Sequence, residues 1–513
     1  MSDARDNEPE SSVQTGSGKR KQGVGRFFRF SMIYALGDVL TKGVQILLVP
    51  YYLSVLTPAE VGMLAVLTTI FFAAWTTMSF GLGFAVRRYY HDHAQQGDQF
   101  TSSVWAFRFL FGLPAFGLMV LVMSNLLRWS DSTIPWALVL MALTSGFLKG
   151  GLNVIESWFM IREEPVKYRT FSFLQFLTNT CLIIALVSGL GWGVYGAVMG
   201  DLISYSIWTI VSGYLLFRHA WPSFGSVNWN QVFWYCLPVL PHALFMWGMA
   251  AADRLILEHY VGLDEIGVYD TGYKLAAFLS VVIMAMRAAW LPDYFKTADD
   301  EGAVKKYASM ATIFSYIVFY AALGGILFAP EGIQLASFAA IGNYSQAVAI
   351  LRIVALGFVG LGMFIVFNQP LLYRQRTGWV AIASGSGLAI NVLTNLLLIP
   401  NYGIVGSAIA TVISYAAMAT IMLVMVNKLY GFTWETATLC FFAAAAVIFG
   451  GLGCFLDGNP WSGSTAVRLV LFLLFPAVTL FRLQRDQHSN LALKLRFSLL
   501  NSPVVPKSVE IAR

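Results

Sequence analysis

The chain has 513 residues, of which 57% are hydrophobic, 15% aromatic and only 12% charged. That charged share is about half of an ordinary soluble domain's, and the 39 Phe, 22 Tyr and 15 Trp are spread along the whole length. This excludes a disordered protein, a disulfide scaffold and a conventional soluble enzyme, because a soluble fold of this size needs far more polar surface. The class left is an all-α polytopic membrane protein, long enough for about 14 spans of roughly 20 residues. The net charge of +6 would point to nucleic acid in a soluble protein. Here the basic residues are read as orienting the chain in a membrane, and no nucleic-acid partner is expected.

In chain order, residues 1–27 are polar and predict a disordered tail. No short apolar stretch with a small-residue cleavage site marks a signal peptide there. Apolar runs then predict spans at 28–55, 60–86, 103–127, 134–158, 170–190, 193–217, 232–256, 269–290, 307–329, 346–370, 378–399, 403–427, 436–455 and 464–482. Residues 483–513 form a second polar tail. Thr57-Pro58-Ala59-Glu60 reads as a capping box with Pro at the first helical position, starting the second span. The cysteines Cys181, Cys236, Cys440 and Cys454 sit in apolar runs and read as small buried hydrophobes. With an even number of spans both termini share one side. Of the 33 Lys and Arg, only Arg128 and Arg254 then fall on the far side. The positive-inside rule therefore places both termini in the cytoplasm.

The sequence repeats itself. Gly193-Val-Tyr-Gly196 through Ile203-Ser204-Tyr205 aligns without gaps on Gly403-Ile-Val-Gly406 through Ile413-Ser414-Tyr415. Glu60-Val61-Gly62 recurs as Glu265-Ile266-Gly267, and Leu177-Thr178-Asn179 as Leu393-Thr394-Asn395. Matches in this order predict a duplicated six-span unit. The N-lobe would cover 28–218 and the C-lobe 219–430, with 431–482 as two extra spans. Copies of even span number keep the same orientation, so the lobes are expected to be related by a pseudo-two-fold along the membrane normal.

Charges inside the spans cost roughly 2.5–3.5 kcal/mol each on insertion scales. Asp38 and Lys42 stand at i, i+4 in the first span, and Asp270 and Lys274 in the eighth. Ser145, Lys149, Asn153 and Glu156 share one face of the fourth. Asp201 precedes Ser204 and Tyr205 in the sixth, and Arg352 stands in the tenth. Gln175, Thr178 and Asn179 answer Asn391, Thr394 and Asn395. Such faces must line a polar interior. Arg108 and Arg287 lie near cytoplasmic span ends and are expected to snorkel. His242 is expected to be a satisfied interior histidine, with Pro238 and Pro241 kinking its span. No phosphate-binding GxxxxGK[ST] loop, metal-spaced His or Cys cluster, or large loop with paired carboxylates is present. No cofactor, metal or catalytic residue is expected.

Three stretches carry a resemblance. The first runs from Gly37 to Arg88, with Leu56-Thr57-Pro58-Ala59-Glu60-Val61-Gly62, Gly81-Leu82-Gly83 and Arg87-Arg88-Tyr89-Tyr90. The second is Leu237-Pro238 through Asp253-Arg254 to Gly267-Val268-Tyr269. The third spans Asn391 to Tyr415, with Ile399-Pro400-Asn401-Tyr402-Gly403. Over residues 28–482 the chain resembles the Wzx-type polysaccharide flippases of the multidrug/oligosaccharidyl-lipid/polysaccharide exporter superfamily. The resemblance implies two six-helix lobes and alternating access. It implies transport of an undecaprenyl-pyrophosphate-linked oligosaccharide across a bacterial inner membrane for surface polysaccharide synthesis, with no covalent chemistry. Membrane lipid, a polysaccharide polymerase and other assembly proteins are the partners expected. On this reading Lys42, Lys149, Lys274 and Arg352 form a cationic cavity for the pyrophosphate. Asp38, Glu156 and Asp201 are candidates for ion or proton coupling. The competing reading is a cation-coupled multidrug or small-solute antiporter of the same superfamily. A membrane enzyme and a lipid scramblase are further alternatives.

Overall fold

The computed structural model describes residues 48–298, 302–374, 376–432, 434–456 and 460–485. Asp38, Lys42 and most of the first predicted span lie outside the described residues, as do both tails up to the last turn of the final helix. All regular structure described is helical, and among the described residues eleven helices are long and apolar enough to cross a membrane.

The end of the first span, residues 48–55, turns into α1 (Pro58–Ser79). Thr57 sets that corner. Its side chain accepts from the Glu60 N–H at 3.3 Å, and the Glu60 carboxylate accepts from the Thr57 N–H at 2.9 Å. Pro58 begins the helix with no N–H to satisfy. α1 stops at two consecutive left-handed residues, Phe80 (φ 47°) and Gly81 (φ 67°), and α2 (Leu82–Tyr89) carries on. Glycine accepts such a φ freely, whereas the phenylalanine is strained. Helices α3 (Gly97–Trp129), α4 (Trp136–Ile161), α5 (Pro165–Ile184) and α6 (Gly193–His219) complete the first half, with a π-helical turn at Ala185–Gly189 after α5.

The seventh predicted span is broken twice. α7 (Trp229–Cys236) ends before Pro238, α8 (Val239–Ala251) follows, and α9 (Asp253–Tyr260) starts after Ala252. The proline break is the one expected from Pro238. α10 (Leu263–Ala276) and α11 (Phe278–Thr297) share the next crossing, and α12 (Ala303–Leu327) the one after. A short helix, α13 (Ala329–Ala336), was not foreseen in the loop before α14 (Ala347–Tyr373).

α15 runs from Thr377 to Tyr430 with non-helical Gly403 inside it (φ 53°, ψ −135°). Straight, its 54 residues would reach about 80 Å, far more than one crossing. Asn391 instead donates to Ser414 at 3.1 Å, and Gly406 packs on the Leu398 carbonyl. The chain therefore doubles back at Gly403 and makes two crossings. α5 and α6 are joined in the same manner, with Gly196 on Leu186 and Asn179 donating to Asp201 at 2.7 Å. α16 (Thr436–Phe455) and α17 (Gly463–Arg485) pack on α12 through Leu323, Leu327, Ala445 and Phe475. Buried Arg468 of α17 pairs with Glu331 of α13 at 2.7 Å.

Residues aligned by the repeat stand in matching surroundings. A Cβ on Gly193 would lie 3.0 Å from Glu60 Oε1, and one on Gly403 would lie 3.7 Å from Glu265 Oε2. Both glycines have φ 53°. α1 and α10 then meet backbone to backbone. A Cβ on Gly62 would come within 1.7 Å of the Leu263 carbonyl oxygen, and one on Gly267 within 2.0 Å of the Pro58 oxygen. Only glycine permits that approach.

Candidate functional site

Where α1 breaks, the two halves enclose a cavity of about 290 Å³. Trp75, Thr76 and Ser79 of α1, Gly83, Phe84 and Arg87 of α2, and Asn153, Glu156 and Ser157 of α4 form its first-half wall. Val239, Leu240 and Ala243 of α8 close it from the second half. The break at Phe80–Gly81 is tolerated inside a membrane span because it borders a cavity rather than lipid. It also swings α2 against α4: a Cβ on Gly83 would be 2.8 Å from Ser157 Oγ and 3.0 Å from the Asn153 carbonyl.

Arg87 donates to Ser157 Oγ at 3.2 Å and covers the Phe84 ring at 4.5 Å. The sequence alone treats Arg87 as a loop charge. The signal available was its place one turn beyond the Gly81-Leu82-Gly83 interruption. Asn153 donates to Ser79 at 3.2 Å. Glu156 lines the cavity and faces Lys149 Nζ at 4.0 Å. Lys149, half-way along the 26-residue α4, also donates to Gln175 of α5 at 3.4 Å. Its ammonium lies 5.5 Å from the rings of both Trp75 and Tyr205. Asp201 stands one turn before Tyr205 on α6 and accepts from Asn179. Glu156 thus lines the cavity with Lys149 next to it, and Asp201 lies within electrostatic reach of Lys149. The arrangement offers cations for phosphate oxygens, and an amide, hydroxyls and an indole for sugar.

The other predicted cations stand elsewhere. Lys274 pairs with Asp270 at 2.6 Å, and Asp270 also pairs with Arg254 at 3.2 Å. Arg254 binds Asp253 at 2.7 Å and lies over the Tyr273 ring at 4.1 Å. Two acids and two bases thus neutralise one another in the second half. Arg254 was expected at the far-side end of the seventh span. It is instead buried, because α9 continues for six residues beyond it and two carboxylates surround it. Arg352 Nε donates to the Ile326 carbonyl at 3.1 Å, joining α14 to α12. His242 Nδ1 meets Ser384 Oγ at 3.1 Å, the satisfied interior histidine expected. Arg108 does not snorkel, since it is fully buried in α3. Cys236 is buried as expected, but Cys181 and Cys440 are exposed, since an apolar run in a membrane protein need not face the interior. Among the described residues no three His, Cys, Asp or Glu could hold a metal.

At the cytoplasm-facing end by the charge reading, Asp98 ties three elements together. It accepts from Trp158 at 2.7 Å, Tyr90 at 2.8 Å and Arg162 at 3.0 Å. Burial, then the bond to Asp98, pushes the Tyr90 hydroxyl up to about 12, so it stays a donor.

Fold and site together define a multi-pass helical membrane protein. Residues 29–298 match the model of the polysaccharide biosynthesis protein family, and the chain belongs to that family. It is 21% identical over 403 residues to the probable low-salt glycan biosynthesis flippase Agl15 of Haloferax volcanii, covering 76% of this chain and 81% of that protein. Its fold is similar to that of the lipid II flippase MurJ in an inward closed conformation, with TM-score 0.68, 13% identity and coverage of 90% of this chain and 99% of that one. It is also similar to a multidrug resistance MATE family transporter of the MOP superfamily in an inward-facing conformation. There the TM-score is 0.61 at 17% identity, over 78% of this chain and 94% of that one.

Proposed function

We propose that the protein is a flippase. It carries an oligosaccharide linked through pyrophosphate to undecaprenol from the cytoplasmic to the periplasmic leaflet of a bacterial inner membrane. The observation that carries this reading is the cavity between the two halves, with Arg87, Glu156, Asn153 and Ser157 in its wall and Lys149 behind Glu156. Membership of the polysaccharide biosynthesis family supports the glycan cargo. Phosphate oxygens displace Glu156 from Lys149 and bind Arg87, sugars meet the amide and hydroxyl groups, and the lipid tail stays in the bilayer. The lobes 28–218 and 219–430 then rock about the seam to expose the head group outside. An ion gradient drives the cycle, one charge crossing 100 mV supplying about 2.3 kcal/mol. Glu156, released from Lys149, is the coupling carboxylate, with Asp201 beside it. Both termini lie in the cytoplasm, and a polymerase takes over the delivered unit. A cation antiporter is disfavoured, because Arg87 and Lys149 would repel a cationic drug.

The test is a deletion strain without paralogues, with labelled lipid-linked oligosaccharide followed in each leaflet. Accumulation on the cytoplasmic face, with sugar assembly intact, is expected. Normal arrival at the periplasmic face would end the flippase reading.

A further inference from the structure

A guanidinium lies just behind the wall of this cavity. Arg108 is about 16 Å along α3 from Gly97 at 1.5 Å per residue. It is 1% exposed. None of its three nitrogens has a hydrogen-bond acceptor among the described residues. Its neighbours are the rings of Phe109 and Phe147, 4.7 and 5.1 Å from the guanidinium carbon, and two bare glycines. A Cβ on Gly150 would lie 2.8 Å from Nη2, and one on Gly151 2.9 Å from Nη1. An arginine cannot shed its proton. Two cation–π contacts offset only part of the cost of burying an unpaired charge. Across Gly150 the next group is Ser79 Oγ, 3.1 Å from the same Cβ position. Ser79 is also cavity wall. Thus one hydroxyl and one glycine separate the cation from the cavity.

We propose that Arg108 is an anion-binding residue of this cavity, taking a phosphoryl oxygen that enters past Ser79. The planar fork suits two phosphoryl oxygens. Gly150 and Gly151 make room for the guanidinium beside the cavity wall, since a side chain at either position would collide with it. The phosphoryl group comes either from a pyrophosphate-linked cargo, which rests on the flippase reading, or from an ordinary anionic lipid.

The test uses the full-length protein in neutral detergent and follows its thermal unfolding midpoint. The probes are inorganic pyrophosphate, phosphatidylglycerol, and sodium chloride at matched ionic strength. Pyrophosphate is expected to raise the wild-type midpoint above the chloride control. The shift should vanish in Arg108→Met and survive in part in Arg108→Lys. Without ligand, Arg108→Met should be at least as stable as wild type, because it removes an unpaired charge from an apolar setting. A shift from phosphatidylglycerol alone would keep the anion site and assign it to bulk lipid. A pyrophosphate shift that persists in Arg108→Met overturns the proposal. So does a less stable Arg108→Met, and rescue of it by Asp38→Asn would identify an internal partner. If glycan export proved not to need the protein, binding lost in Arg108→Met would still stand as evidence for the site.

Discussion

Lys149 and Asp270 show how differently two membrane-buried charges can be held. Lys149 and Glu156 meet at 4.0 Å with side chains 14% and 22% exposed, at the outer limit of an ion pair. Lys149→Ala is therefore expected to abolish polysaccharide export while protein abundance and melting temperature stay near wild type, as read by immunoblot and thermal unfolding. Wild-type export from a stable Lys149→Ala protein would remove this lysine from the cargo path. Asp270 is the opposite case, buried and shared by Arg254 and Lys274. Asp270→Asn leaves Asp253 alone to offset two cations and should cost about 3–5 kcal/mol, seen as a large drop in melting temperature. Lys274→Met should cost far less, because that side chain is 38% exposed and Arg254 still neutralises the aspartate. Equal losses from the two would show that the four charges do not act as one network. Arg352 has a mechanical duty whatever it does for cargo: losing its bond to Ile326 in Arg352→Ala should cost about 1–3 kcal/mol.

Among the elements, the breaks matter more than the helices. Gly81→Ala meets only ordinary contacts, 3.5 Å from Val239, so its cost is the left-handed φ, about 1–2 kcal/mol. Gly62→Ala has no such escape. Its Cβ would overlap a backbone oxygen at 1.7 Å, and no rotamer can relieve backbone. α1 and α10 must separate, and Gly267→Ala should force the same separation. Cysteines placed in the Pro58 and Leu263 turns should cross-link readily in the parent and poorly in either variant. Unchanged cross-linking would show that the helices do not meet as described. The spans were legible because twenty apolar residues in a row have one solution in a membrane. Hairpins at Gly193 and Gly403 were legible because the repeat aligned them. The wall of the cavity was not, since Arg87 owes its role to α4 and α8, far away in sequence. Nor was the burial of Arg108, which depends on two glycines some forty residues later on another helix. Local periodicity says which face is polar, not what stands opposite it.

At the scale of the whole molecule, the burial of Arg254 sharpens the charge asymmetry, leaving Arg128 as the far-side loop cation of the predicted threading. Reporter fusions after Glu10 and after Arg496 should both report cytoplasm, and one inserted after Ser132 should report the opposite side. A periplasmic signal from either terminus would overturn the threading and the lobe boundaries with it. The last two helices are fastened to the rest through Arg468, which is fully buried against Glu331. In the rocking cycle proposed above they should therefore move with the second half.

The contact between Gly62 and Gly267 has an evolutionary corollary. In a six-span ancestor that paired with itself, these two positions would be one codon, and the residue would touch its own copy across the dimer. A single mutation would have struck both sides of the joint at once. Fusion into one gene separates the two codons and lets each mutate alone. Yet each glycine is pressed against the other helix's main chain, which no substitution can trim. Neither can be released by a compensating change in its partner's side chain. If the two halves descend from one such unit, drift that erased most of their likeness would have had no path through this pair.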